Sequence, residues 1–215
     1  DMLSQKAQKF KIEKLIHLSA LGIEKATDSD YASSKLNGEN KIKQNFENAI
    51  IIKPSIVYSV DDNFTTNLMT LLSLLPVFPL YYEGKTKFSP IHVSELCEII
   101  LEIIEKCIIE KIVECVGPEE LSFKEILKKL LFSIDKKRIL FNLPLFLAKI
   151  IIFFLEKLPK PLITQDQLTL LKYDNVISNE YKSNIDIGYK AKLRFEDEVK
   201  KYSYMWREGG EYSKK

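Results

Sequence analysis

Hydrophobic and polar positions fall into two kinds of block along this chain. Residues 14–19, 49–55 and 111–117 are short, mostly unbroken apolar runs, which read as strands covered on both faces. Around them, apolar positions recur at helical spacing over residues 1–11, 28–46, 64–75 and 93–110, the last with Leu96, Ile99, Ile100, Ile103 and Ile104 on one stripe. Strands alternating with helices predict an α/β fold built on a parallel sheet.

Punctuating residues divide the rest. Asp61, Asp62 and Asn63 break the chain before the 64–75 helix, and Pro76 and Pro79 end that helix and lead into an extended segment reaching Phe88. Ser122 with Glu125, and Thr164 with Gln167, have capping-box spacing and open two further helices. Residues 137–143 suit a strand. From Tyr181 the chain turns polar, with a last helix expected over 194–206 and a disordered tail after Gly209.

Pro144 opens a strongly apolar helix over 145–158, in which Ile150, Ile151, Ile152, Phe153, Phe154 and Leu155 are consecutive. At about fourteen residues, interrupted by Lys149 and closed by Glu156 and Lys157, it is too short to span a bilayer. A small domain can bury one face of it. The other is expected to leave at least two of Ile151, Phe154, Leu155 and Leu158 exposed, as a patch for a membrane surface or a partner subunit.

Composition narrows the class. A chain of 215 residues, 46% hydrophobic and 29% charged, is long enough for a sizeable core and ordinary for a globular protein. A net charge of +2 without a basic stripe argues against nucleic acid. Cys97, Cys107 and Cys115 have no Cys-x-x-Cys spacing and read as reduced, buried thiols. With only His17 and His92, each read as a packed or surface residue, no metal site is expected.

The chemistry centres on Ser19, Tyr31 and Lys35. Ser19 ends the first apolar strand, and Tyr31 and Lys35, four residues apart on the next helix, share one face. A phenol has a reference pKa of about 10, and a neighbouring ammonium favours the phenolate. A hydroxyl at the mouth of the sheet could then hold a substrate oxygen beside the tyrosine. That is a proton-transfer site without metal or histidine.

Tyr-x-x-x-Lys alone is common on helix surfaces, but its setting here is specific. The strand, Ser19, the Tyr31/Lys35 helix and the following strand with Lys53-Pro54-Ser55-Ile-Val-Tyr58 resemble the extended and atypical short-chain dehydrogenase/reductase family, the NAD-dependent epimerases and dehydratases. Lys53 stands where the family's Arg-Pro-x-x-Val-Tyr-Gly segment has arginine, Ser59 replaces its glycine, and the run from Tyr82 to Glu95 resembles its substrate-side segment. The runs Gly117-Pro118 to Leu127 and Thr164 to Val176 are similar to the branch containing the short-chain-dehydrogenase-like accessory subunit of respiratory complex I.

The resemblance implies the C-terminal part of a Rossmann-like doubly wound parallel sheet with a smaller, mostly helical substrate-side domain. Residues 1–60 would be the second half of the NAD(P)-binding domain. Residues 61–180 would form the substrate side, with a returning strand near 85–117, and 181–215 a C-terminal helix and tail. It implies NAD or NADP as cofactor, with Tyr31 as acid/base, Lys35 tuning it and binding the nicotinamide ribose, and Ser19 orienting the substrate oxygen. Pro54, Ser55 and Val57 would line the cofactor with Tyr31 and Lys35. None of the seven glycines forms the family's phosphate-binding turn, so the chain is expected to be a C-terminal fragment.

Two functions follow from the resemblance: an NAD(P)-dependent oxidoreductase or epimerase, or a non-catalytic structural or assembly subunit that holds a nucleotide. A quinone-biosynthesis reductase is a related alternative. The partners implied are subunits of a respiratory complex or a membrane surface met through residues 145–158, with a cytoplasmic location, peripheral on the cytoplasmic face of the inner membrane.

Overall fold

The structure, a computed structural model, describes residues 2–106, 108–157, 161 and 163–213. Helix α1 (Met2–Lys9) leads into β1 (Leu15–Leu18), and α2 (Asp30–Asn45) carries the chain to β2 (Ala49–Pro54). Then come β3 (Val57–Tyr58), α3 (Thr65–Leu74), β4 (Val77–Leu80), β5 (Lys87–Phe88), β6 (Ile91–His92), α4 (Val93–Glu105) and β7 (Ile112–Cys115). The remainder is β8 (Leu121–Ser122), α5 (Phe123–Ser133), β9 (Ile139–Asn142), α6 (Leu145–Leu155), α7 (Gln165–Leu170), β10 (Lys182–Ser183) and α8 (Phe195–Lys200).

Four strands form one parallel sheet in the order β1-β2-β7-β10. β2 is buried at every position, as a central strand covered on both faces must be. Its side chains divide with the two-residue period. Ala49 packs with Ala7 and Phe46 beside α1 and α2, whereas Ile50 and Ile52 pack with Leu96, Ile99 and Ile103 of α4. The α/β parallel arrangement predicted from the apolar runs, with the doubly wound layering that the resemblance implies, is therefore the observed one. Among the described residues β1 pairs only with β2 and stands at the sheet's edge.

A second core lies beyond the strand ends, where α3, α5 and α8 bury Met69, Leu72, Ile126, Leu127, Leu130, Phe195 and Val199 together. The predicted capping box opens α5: the Ser122 hydroxyl accepts from the Glu125 N–H, and the Glu125 carboxylate accepts from the Ser122 N–H. Thr164 and Gln167 open α7 in the same way. Proline at 79 is tolerated because β4 sits in a two-stranded ribbon, paired only with β9.

Four expectations need correction. The helix bearing Tyr31 is capped by Ser29, whose hydroxyl accepts from the Ala32 N–H, while Asp28 instead meets Tyr173 and Lys172. The polar stretch after Tyr181 contributes β10 to the sheet, two residues too short to leave an apolar signature. The described part of the tail after Gly209, through Ser213, is packed: Tyr212 lies 4.9 Å from the Trp206 ring and its N–H donates to the Met205 carbonyl, and residues 214–215 lie outside the described residues. Cys115 is buried, its thiol pushed up to about 12 by desolvation, but Cys97 is exposed, and Cys107 lies outside the described residues.

One glycine is required by contact. A Cβ at Gly117, just past β7, would fall 1.8 Å from the Pro90 carbonyl oxygen. Gly117→Ala is expected to cost about 3 kcal/mol, near the upper end for overpacking. Gly188→Ala, where a Cβ meets nothing within 4 Å and only the φ of +94° is strained, should cost less. Urea unfolding of the two variants checks the order.

Candidate active site

Parallel strands end on one side of the sheet, and there lies a cavity of about 640 Å³. Ser19 follows β1, Tyr31 and Lys35 lie on the first turns of α2, and Pro54, Ser55 and Val57 continue from β2. All six line the cavity. The loop between β1 and α2 turns at Gly22, where φ is +78° and a Cβ would stand 2.9 Å from the Asp174 carbonyl oxygen. Asp166 of α7 accepts from the Asp30 and Tyr31 N–H groups at 2.9 and 3.1 Å, which places a carboxylate at the positive end of α2.

Behind Ser19 is a buried charged relay that the sequence reading missed. The Ser19 hydroxyl donates to Glu39 Oε1 at 2.6 Å, and Glu39 Oε2 lies 3.2 Å from the Lys53 ammonium. Lys53 also pairs with Glu24 and stands over the Tyr181 ring, 4.9 Å from its centroid. Lys53 and Glu39 are each 1% exposed. Burial alone would pull the Lys53 ammonium down, but the Glu24 bond and the Glu39 and Glu24 charges outweigh it and hold the group above the ordinary lysine range. A signal was available: a lysine in an apolar strand sealed on both faces demands a countercharge. Glu39, one turn beyond Lys35 on the same face of α2, was the candidate.

This relay sets what Ser19 can do. A hydroxyl has one proton, and here Glu39 holds it, so toward the cavity Ser19 offers lone pairs. Tyr31 differs from expectation. Lys35 Nζ lies over the Tyr31 ring, 5.7 Å from its centroid, and among the described residues the phenol bonds neither to Lys35 nor to Ser19. Desolvation raises the Tyr31 phenol above its ordinary value, so the predicted lowering by Lys35 is absent, because the ammonium meets the ring face instead of bonding the oxygen. At neutral pH Tyr31 keeps its proton and is a donor.

Ser55 is committed elsewhere, its hydroxyl donating to Asn175 Oδ1 at 2.6 Å and accepting from the Ser89 N–H, which leaves backbone and not side chain for a cofactor. Asn175 Nδ2 also donates to the Leu21 carbonyl, so one residue ties the β1 and β2 loops to β5. His17 on β1 is held below the ordinary imidazole range by desolvation and then by the Lys35 charge. His92 caps α4, accepting from the Ser94 N–H. Glu95 does not line the cavity; its carboxylate accepts from the Lys192 and Leu193 N–H groups.

The apolar helix is realised as α6. Only Ala148 and Ile152 are buried; Ile151 (45%) and Phe154 (64%) are exposed, as expected, while Leu155 is half-buried against the cavity and Leu158 lies outside the described residues. No described helix is long and apolar enough to cross a membrane.

The fold is that of the NAD-dependent epimerases and dehydratases. It superposes on dTDP-glucose 4,6-dehydratase from Bacillus anthracis in complex with NAD, with a TM-score of 0.66 and 15% identity over 98% of this chain and 66% of that one. The UDP-glucose 4-epimerase of Thermus thermophilus, also complexed with NAD, gives a TM-score of 0.61 and 13% identity over 94% and 66%. No family model matches the chain.

Its curated relatives are subunits of NADH-ubiquinone oxidoreductase. The mitochondrial 40 kDa subunit of Neurospora crassa is 22% identical over 190 residues, and the mitochondrial 1 alpha subcomplex subunit 9 of mouse 25% identical over 190. The Dictyostelium discoideum subunit of the latter name is 29% identical over 117 residues, 54% of this chain and 33% of that protein. The chain spans about half the length of the Neurospora and mouse proteins. The resemblance to the complex I accessory-subunit branch thus holds.

Lys53→Met is expected to destabilise the protein by about 3 kcal/mol, because it removes the closer and more deeply buried of the two ammonium groups, Lys53 and Lys43, that face the buried Glu39. The double variant Lys53→Met/Glu39→Gln should recover part of the loss. Chemical denaturation of the three proteins measures it; a double variant no more stable than the single one would show that the charge is not the cause.

Proposed function

We propose that the full-length protein is a short-chain-dehydrogenase-like subunit that binds a nicotinamide dinucleotide in this cavity, in association with a respiratory complex of the NADH-ubiquinone oxidoreductase kind. The observation that carries the reading is the convergence of Ser19, Tyr31 and Lys35 with Pro54, Ser55 and Val57 on one cavity at the ends of the parallel strands. The side chains fit the nicotinamide half of such a cofactor. Lys35 has an ammonium free of any ion pair among the described residues, suited to ribose hydroxyls, and the apolar Pro54 and Val57 suit a ring face.

When bound, the nicotinamide supplies or accepts a hydride. Tyr31, protonated at neutral pH, gives a proton to a carbonyl oxygen of the substrate, and Ser19 accepts a hydrogen bond from a hydroxyl beside it. Approach of the Lys35 ammonium to the phenol oxygen would ease that transfer. Tyr31→Phe should lower cofactor-dependent turnover by about a hundredfold or more and leave nucleotide binding unchanged, whereas Lys35→Ala should weaken both. Steady-state kinetics with nucleotide titration checks this; undiminished turnover in Tyr31→Phe would remove the acid/base role.

The relatives are named as subunits of a respiratory complex, which suits a second reading, a nucleotide held in an assembly role without turnover, and the outer face of α6 supports peripheral attachment to a membrane surface. Phe146, Phe153 and Phe154 are exposed there. The helix contains Lys149, and Glu156 at its end is followed by Lys157, whose ammonium lies 4.3 Å from the Phe153 centroid, so two cations and one carboxylate accompany the apolar face. The full-length protein should float with anionic liposomes and Phe154→Glu should stay in solution. Flotation of both alike refutes membrane seating through α6, and co-purification with a respiratory complex without flotation assigns the face to a subunit.

A further inference from the structure

We infer that the part of the cavity distal to Tyr31 accepts the hydrocarbon chain of a lipid-like ketone or alcohol, in place of the nucleotide sugars named for the structural neighbours. The inference rests on the proposed nicotinamide site, because it assigns the proximal end of the same cavity to the cofactor and to the substrate oxygen.

The distal wall is built from α3, β4, α6 and the end of α7. It presents Leu68, Leu71, Leu75, Phe78, Leu155 and Leu171. Charged lining residues among those described are Lys35, which belongs to the cofactor end, and Asp174, whose carboxylate already accepts from the Lys87 N–H at 2.8 Å. A nucleotide diphosphate is held by guanidinium or ammonium groups, and a carboxylate repels it. Sugar hydroxyls likewise need convergent polar partners, since a hydroxyl buried against leucine without one is destabilised. The polar side chains there are few beside the apolar ones: Asn63 and Asn67 are solvent-exposed, the Gln167 side-chain oxygen is used in its own capping box, the Tyr173 hydroxyl donates to Asp28, and the Tyr81 ring packs with Ala148, Ile152 and Leu168. The distal space therefore recognises methylene groups.

Leu155 adds a second point. It faces the cavity from α6, and the neighbouring Phe154 and Ile151 face outward, so one helix contacts both the cavity and the proposed membrane surface. A ligand whose chain partitions into lipid meets an apolar surface throughout, with its oxygen-bearing head delivered toward Tyr31.

Calorimetric titration of the full-length protein with methyl ketones of six, nine and twelve carbons, each below its aggregation limit and with and without NADH, tests the inference. UDP-glucose serves as the contrasting ligand. Binding should tighten by about fourfold per added methylene until the cavity is filled, and UDP-glucose should bind more weakly than the twelve-carbon ketone. Leu71→Asn should weaken the twelve-carbon ketone by about tenfold or more and leave the six-carbon ketone and NADH unchanged. Leu75→Ser, at a position 37% exposed, should act in the same direction. Affinity independent of chain length, tighter binding of UDP-glucose, or long-chain binding unaltered in both variants would overturn it. NADH binding without chain-length dependence refutes this inference alone. Chain-length dependence without NADH binding refutes the cofactor reading alone.

Discussion

A lysine sealed from water in the central strand constrains much of the rest. Lys53 sits in a strand buried at every position, where a lone ammonium could not remain charged. Its countercharges come from two different segments, Glu39 on α2 and Glu24 in the loop before it. Holding that lysine therefore sets the rotation of α2 about its axis, and with it the direction in which Tyr31 and Lys35 point. The same carboxylate accepts the hydrogen bond of the Ser19 hydroxyl, so the packing of a buried charge and the chemistry presented by a cavity residue are one arrangement.

The cavity inherits a division from the two units that enclose it. Its sheet end carries hydroxyls, a phenol and an ammonium because parallel strands terminate there and α2 begins there. Its far end carries leucine and phenylalanine because α3, β4 and α5 must bury a core of their own, and the cavity opens onto that core's margin. A polar reacting end and an apolar distal end follow from that construction. In this respect the chain shares a fold with enzymes named for nucleotide sugars, while the distal lining of its cavity is mostly apolar.

Helix α6 is the element least satisfied by the chain's own packing. Eleven residues, all apolar but Lys149, surround an axis of which only Ala148 and Ile152 find the interior. Short length excludes it as a span, and exposure at Phe146 and Phe154 leaves it in need of a covering surface. Its contact with the cavity through Leu155 connects that surface to the candidate site.

Much of this was legible in the sequence. The apolar runs at 14–19, 49–55 and 111–117, the capping boxes at Ser122 and Thr164, and the outward residues of α6 follow from periodicity and local hydrogen-bonding rules, which act over a few residues and leave their signature there. The Ser19, Tyr31 and Lys35 spacing was equally local. The Lys53–Glu39–Glu24 network, the tie made by Asn175 and the strand at Lys182–Ser183 pair residues far apart in the chain, and a two-residue strand has no period to detect. Tyr31 shows the limit most directly. Sequence spacing puts Lys35 one turn away, but whether that ammonium meets the phenol's oxygen or its ring, and whether burial or charge sets its proton affinity, depends on side-chain direction and desolvation, which only the packed structure decides.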